Sequence, residues 1–415
     1  MPSTAVRLTA LALAATALTS CAPAVGSIPT LAVYKYPQEH FQSIVDNCNE
    51  RAAGRYKLVY RKLPREADGQ REQLVRRLAA EDEDIDIMGL DVTWVAEMAE
   101  ARWIREVPAG VREEIERGTL EIPLETARWK GKLYGAPDNT NVQLLWYRSD
   151  LVSKPPATWT ELLAVAGELK RQGKPYYVEA QGKSYEGLTV LVNTLVNSAG
   201  GSLVSADGQK STVDDGAMEA LRQLKEIAAS PVVNPAFASS AEDEGRLAMQ
   251  AGRSAFMVNW PYVYPAMRSQ NPQLFPHFTW APYPRISAED PARVTVGGID
   301  YAVSSYSRYP AESFDAVLCL RNKENQRIGA VEGGVPPTLE SVYDDPGIAE
   351  SVPMKDAILS TLRQSSTRPK VPSYQTVSSM ISTLLANPAR LDPAAAAAGL
   401  RTAIQDALDS RGVIP

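Results

Sequence analysis

The sequence predicts an α/β protein. Two observations carry that prediction. From Thr30 onward, short apolar runs of strand length alternate with longer stretches of helical periodicity. Three such strand–helix pairs in succession read as a layer of parallel strands covered by helices. The chain has 415 residues and no internal repeat, so two or three domains are expected.

Thr30–Tyr34 reads as a buried strand. Gln38–Glu50 follows with Phe41, Ile44, Val45 and Cys48 on one helical face. Lys57–Leu63 alternates as a strand, and Asp68–Ala80 is an amphipathic helix carrying Leu74 and Leu78. Ile85–Leu90 is a third strand, and Asp91–Ala101 a third helix with Asp91 in the N-cap position. The polar stretch Asp138–Asn141 then runs into an apolar strand at Val142–Tyr147. Trp159–Gly173 is a helix, with Thr158 as its cap and Gly173 as its stop. Val178–Ala180, Ser254–Trp260 and Gly297–Val303 read as strands. Gly187–Ala199, Met218–Ala229 and Ala241–Gly252 read as helices, and the remainder is mostly helical, including the Ala394–Ala398 run.

With 44% hydrophobic and 22% charged residues, the composition suits a sizeable core. The net charge of −6 and the lack of any long basic run exclude a phosphate-binding surface, so no nucleic-acid partner is expected. Only two histidines occur, His40 and His277, with no second ligand at metal spacing. They read as surface or loop residues, and neither a metal nor another cofactor is expected.

Arg7 precedes an apolar run, Leu8–Leu18, too short to span a bilayer. Leu18-Thr19-Ser20-Cys21 resembles a bacterial lipobox. Residues 1–20 are then a signal peptide, Cys21 carries lipid, and 21–27 form a tether outside the cytoplasm. Cys48 and Cys319 remain. Outside the cytoplasm two cysteines are the right number for one disulfide, which requires their helices to pack together; the alternative is two separate buried thiols.

Several strings in order resemble the solute-binding proteins of carbohydrate ABC importers. They are KLYGAP (Lys132–Pro137), NVQLLWYRSDL (Asn141–Leu151), PATWTELLAVAGEL (Pro156–Leu169), GRSAFMVNWPYVY (Gly252–Tyr264), VGGIDYAVS (Val296–Ser304) and RPKVPSYQ (Arg368–Gln375). LDVTWVAEMAEA (Leu90–Ala101), LVNTLVNSAGGSLVSADG (Leu191–Gly208) and VEGGVPPTLESVYDDP (Val331–Pro346) are similar to the trehalose-binding lipoproteins of actinobacterial trehalose-recycling importers. The two cysteine positions fit that branch as well. The chain is shorter than the pattern around Tyr36–Phe41 and after Pro282.

The resemblance implies a two-lobed periplasmic-binding-protein-like fold of type II, crossed three times by the chain around a central cleft. Residues 28–142 with 297–338 would form one lobe, and 143–296 with 339–415 the other. It also implies a monomeric receptor without catalytic residues. That receptor captures a disaccharide, trehalose first among them, and hands it to permease subunits of the membrane to which Cys21 anchors it. A receptor for maltose or another α-glucoside is the alternative within the family. A glycosidase using Asp91 and Glu242 is the alternative outside it.

A disaccharide presents paired hydroxyls and flat C–H faces. Carboxylates and guanidinium groups bond hydroxyl pairs, amides both donate and accept, and aromatic rings cover the faces. By resemblance, Asp91, Asn141, Glu242, Trp260 and Arg368 line the cleft, with Tyr262 a second aromatic. Each has a purely structural competitor: a helix cap for Asp91, a turn residue for Asn141, core packing for Trp260, a surface role for Arg368. Asp243 and Glu244 compete with Glu242. Gly298 admits either the ligand or a bend in the backbone, and Gln38 and Glu39 lie in the first strand–helix loop. Trp94 reads as core beneath the site.

Overall fold

A computed structural model of the chain describes residues 28–38 and 40–410. The signal segment, Cys21, the tether and Glu39 lie outside the described residues.

The chain builds two sheets. The first has the order β2-β1-β3-β11-β6, from β1 (Thr30–Lys35), β2 (Lys57–Lys62), β3 (Ile87–Asp91), β6 (Ala136–Asn141) and β11 (Gly297–Val303). A two-stranded hairpin, β4 (Arg128–Trp129) with β5 (Lys132–Leu133), stands beside it. The second sheet has the order β10-β7-β9-β8, from β7 (Leu144–Arg148), β8 (Tyr177–Glu179), β9 (Ser254–Asn259) and β10 (Phe278–Ala281). β1, β2 and β3 are parallel, as their alternation with helices predicts. β11 then inserts antiparallel between β3 and β6, so the sheet is mixed.

Side chains alternate across the first sheet and divide its core in two. Val33 and Ile87 face one way, against the helices Phe41–Ala52 and Pro310–Leu320. Tyr34 and Met88 face the other, against Ala67–Ala79 and Val95–Glu100. Leu74 and Leu78 are fully buried there; each contributes roughly 2 kcal/mol of transfer free energy. Helices Phe41–Ala52 and Pro310–Leu320 pack together, and the disulfide Cys48–Cys319 joins them, with Cα atoms 5.8 Å apart. The second sheet has a single core in which Trp146 stacks on Phe278 at 5.1 Å. Thr158 caps helix Trp159–Arg171 by accepting from the Glu161 amide at 3.2 Å.

Three passages link the sheets, side by side. β6 runs into β7 through Val142 and Gln143. The segment after β10 returns to β11, whose Gly297 pairs with Asn141 at the end of β6. After helix Lys323–Gly333 the chain lies along β6, where the Pro336 carbonyl accepts from the Thr140 amide at 3.0 Å. Gln326 fastens this last passage, accepting from the amides of Thr338 at 2.8 Å and Leu339 at 3.0 Å. Helices Glu340–Tyr343 and Pro346–Ser351 then pack on helix Lys323–Gly333 before the chain reaches the second sheet.

Two expectations are corrected here. Asp138–Asn141, read as a polar stretch preceding the strand at Val142–Tyr147, is itself most of strand β6, with Asp138, Asn139 and Thr140 buried. Asp138 belongs in the interior because the buried Lys35 ammonium donates to it at 2.6 Å. His40 is not a surface residue: it is 8% exposed, and its ring lies against Gly333, where a Cβ would come within 2.0 Å of it. Burial, helped by the Lys35 charge, depresses the His40 pKa from 6.5 to about 4.

Candidate functional site

Asp91 ends β3 at the edge of the first sheet. It does not cap a helix: Trp94 holds the N-cap position of Val95–Glu100, and Asp91 instead accepts from the Thr93 amide at 3.0 Å and the Thr93 hydroxyl at 2.8 Å. Its remaining partner comes from the other side of the cleft. The Arg368 Nη2 donates to Asp91 Oδ1 at 3.1 Å, while Arg368 Nη1 donates to Glu186 Oε1 at 2.5 Å. Glu186 opens helix Glu186–Ser198, which packs in the core of the second sheet.

Arg368 lies in a segment that pairs with the strand entry: the Val296 amide donates to the Ser366 carbonyl at 2.8 Å, and Ser366 in turn to Val294 at 2.9 Å. The Arg368 side chain is 3% exposed. Burial disfavours its charge, but Asp91, Tyr374 and Glu186 outweigh burial and raise its pKa above the ordinary guanidinium value. Arg368 is therefore a buried, permanently charged bridge, not a surface arginine.

The entry to β11 gathers the rest. Arg368 Nη2 also approaches the Val296 carbonyl at 3.5 Å. At the next residue, a Cβ on Gly297 would sit 3.1 Å from Cη2 of Trp260 and 3.7 Å from Cβ of Asn141. Trp260 follows β9, and Asn141 ends β6, where its amide nitrogen donates to Asn139 Oδ1 at 3.1 Å. Gly298 has φ +150°, and a Cβ there would strike the Asn139 carbonyl at 2.4 Å. The close backbone approach at Gly298 is thus made by a neighbouring strand.

Three acids open helix Glu242–Gln250, and their partners separate them. Glu244 turns back to the Ala241 amide at 3.0 Å. Asp243 accepts from the Tyr262 hydroxyl at 3.1 Å and Arg246 Nε at 2.9 Å. Glu242 accepts from the Tyr185 hydroxyl at 2.5 Å, and the Trp260 side chain lies near enough to pull its pKa down. Burial pushes the Glu242 carboxyl above its ordinary range, opposed by those contacts. Only Glu242 of the three is tied to the aromatic side chain at the entry to β11. Tyr262 packs across the cleft instead, with its Cα 3.2 Å from where a Gly334 Cβ would stand.

Arg368 therefore reaches Val296, Trp260 and Asn141 flank Gly297, Asp91 joins them through Arg368, and Glu242 through Trp260. A recess of about 160 Å³ opens beside Arg368, lined also by Thr93, Glu125, Thr126, Val296 and Lys370 but not by Asp91, Asn141, Glu242 or Trp260. Lys370 reaches across to the Glu125 carbonyl. Behind Thr126 lies Asp300, fully buried, with Oδ1 lacking a hydrogen-bond partner and its pKa pushed well up by burial. Gln38 is not brought to this group. It borders a separate small cavity beside Lys35, His40 and Asp138. Trp94 is core, 3% exposed.

Sequence reading missed Glu186, Tyr185 and Lys370. An acid at the first turn of a helix signals a helix start, and nothing local ties Glu186 to an arginine 182 positions away. Among the described residues no group of His, Cys, Asp and Glu is arranged to hold a metal ion, and no helix is long and apolar enough to cross a membrane.

The family model described as bacterial extracellular solute-binding protein matches residues 55–327. A probable ABC transporter-binding protein of Deinococcus radiodurans is 30% identical over 327 residues, covering 74% of this chain and 75% of that one. The maltose-bound MalE3 structure of T. maritima superposes with a TM-score of 0.82 at 23% identity, covering 91% of this chain and 99% of that chain. An ABC transporter solute-binding protein of Thermotoga lettingae, bound to α-D-tagatose, gives 0.82 at 22% identity, with 92% and 100% covered. The two sheets and three passages are those of the two-lobed solute-binding fold, and the chain belongs to the bacterial extracellular solute-binding protein family.

Proposed function

We propose that this protein is the sugar receptor of an ABC importer, held outside the cytoplasm by lipid on Cys21, and that it takes a disaccharide between its lobes. One observation supports the reading: a guanidinium, an indole and an amide surround Val296–Gly297, with one carboxylate joined to the guanidinium and another beside the indole. That set suits a ligand with paired hydroxyls and apolar C–H faces. Asp91 and Asn141 supply the first lobe's side, and Glu242 and Trp260 the second's. Arg368 touches both. A ligand bonded from both sides favours the closed arrangement, because only there does it meet both lobes. Release to the permease follows from opening, with no bond made or broken.

Trehalose is the sugar favoured by the ordered sequence match through Leu90–Ala101, Leu191–Gly208 and Val331–Pro346. Isothermal titration of the mature protein against trehalose, maltose, sucrose and glucose tests both levels. Heat from trehalose alone, with a micromolar Kd (a binding free energy of about −8 kcal/mol), is the expected result. Heat from maltose alone removes trehalose and keeps the receptor. Glucose released from trehalose in proportion to protein overturns the receptor reading in favour of a glycosidase.

A further inference from the structure

We propose that Glu186 is a positioning residue of the cleft: its carboxylate aims the Arg368 guanidinium so that the Nε donor stays free for a ligand oxygen. The proposal rests on the sugar-cleft reading above.

A guanidinium has five N–H donors in a rigid plane, and Nε shares an edge with one terminal nitrogen. In Arg368, Nη1 is held by Glu186, and Nη2 reaches Asp91 and the Val296 carbonyl. Nε is buried and has no partner. An orphaned buried donor is costly, and this one belongs to a side chain lining the recess. On the Nε–Nη2 edge Nη2 is engaged and Nε is the one donor to spare, suited to a hydroxyl or ether oxygen of a sugar.

What fixes that edge is Glu186. Arg368 lies outside every helix and strand, so its backbone element does not set its aim. Glu186, by contrast, is itself clamped. Its Oε1 also accepts from the Tyr374 hydroxyl at 2.6 Å, and its Oε2 from the Ser378 hydroxyl. Ser378 and Thr189 bond each other at 3.0 Å across the two packed helices. The orientation of the guanidinium is therefore set by helix packing within the second lobe. Without Glu186, Asp91 is the only carboxylate left on Arg368, which is free to turn its donors toward the first lobe.

The test is a binding cycle by titration calorimetry with the sugar that the unaltered protein binds. The variants are Glu186→Gln, Arg368→Met and the double variant, with thermal melting as the fold control. Glu186→Gln should weaken binding about tenfold when Arg368 is present, and less than about twofold beside Arg368→Met. Tyr374→Phe, which removes one donor from Glu186 and keeps its charge, should repeat the pattern at about threefold and reports even where Glu186→Gln does not fold. A merely structural Glu186 gives the same loss in both backgrounds, and that result overturns the proposal, as does full affinity in Glu186→Gln and Tyr374→Phe. Arg368→Met binding as tightly as the unaltered protein sinks the assignment of Arg368 and this proposal together. Silence of the unaltered protein toward every sugar sinks the cleft reading first, before any variant is made.

Discussion

The interior of the first lobe holds Lys35, His40, Asp86, Asp138, Asp300 and Arg321, whereas the second is packed around Trp146, Trp159 and Phe256 with Glu179, Glu186 and Arg368 as its buried charges. Buried charge is tolerated where it is paired and hydrogen-bonded. Lys35 has Asp138 at 2.6 Å and the Tyr301 hydroxyl at 3.0 Å, and it stands 4.3 Å above the Phe41 ring. Asp86 accepts from the Ala32 amide at 2.9 Å and the Ser307 hydroxyl at 2.5 Å. The first lobe adds a disulfide to this network. Its integrity is thus tied to its disulfide and to paired buried charge, while the second lobe rests chiefly on aromatic packing, with the carboxyls of Glu179, Glu186 and Glu242 pushed above their ordinary range by burial.

The largest test of that contrast is the disulfide. Its loop spans 271 residues, for which chain entropy gives an upper figure of about 5 kcal/mol. Cys48→Ser with Cys319→Ser should lower the urea midpoint of the first lobe by a corresponding amount and leave the second lobe's transition in place. Trp94, Trp103 and Trp129 report on the first lobe, and Trp146, Trp159 and Trp280 on the second. Equal shifts in both sets would erase the distinction between the lobes.

Acidification should act on the first lobe next most strongly. His40 binds its proton at about 4 in the folded protein, against 6.5 in the unfolded chain. Between those values the unfolded state holds more protons, so stability rises with pH. It is fully present above 6.5 and is lost as pH falls toward 4, by about 3 kcal/mol. His40→Gln should flatten that limb in urea midpoints taken from pH 7 down to pH 4. A His40 ring signal that titrates near 6.5 in the folded protein would contradict its burial.

The contrast also explains what could be read from the sequence. β1, β2, β3 and the helices between them follow from periodicity, because their apolar faces alternate locally. Cys48 and Cys319 were readable as a candidate pair from their number and their helices. β6 was not readable as a strand. Asp138, Asn139 and Thr140 look like a loop until Lys35, 103 positions away, neutralises Asp138. The antiparallel insertion of β11 was hidden for the same reason, since nothing within Gly297–Val303 names its neighbours. Asp91, Asn141, Glu242, Trp260 and Arg368 were named by resemblance, with residue chemistry suited to a sugar. Choosing Glu242 over Asp243 and Glu244 needed the Trp260 and Tyr185 contacts, which are long-range.

The cleft edge joins the two regimes, and Asp91 probes it. Asp91→Ala should weaken sugar binding by about 1.5–3 kcal/mol, the range for a hydrogen bond to a charged group. Arg368 keeps Glu186 in that variant, so the fold should hold. Unchanged affinity would exclude Asp91 from the site. Its partial burial predicts little relief by salt.

The smallest effect belongs to a second contact across the cleft, at its rim. Lys183 Nζ reaches Glu66 at 2.8 Å, joining the second lobe to the first, with side chains 39% and 61% exposed. An exposed pair of this kind contributes at most about 1 kcal/mol. Because it spans the lobes, its contribution belongs to the closed arrangement and is felt through affinity rather than through the stability of either lobe. Lys183→Met should raise the sugar Kd by no more than about fivefold at low salt. Glu66→Gln in the same chain should add nothing further. Near 1 M salt, where screening acts over about 3 Å, the variant and the unaltered protein should bind alike, while the Asp91→Ala deficit persists. A Lys183→Met deficit that survives high salt would mean that the rim lysine meets the sugar itself, and the division between a screened rim and a buried Arg368 bridge would fall.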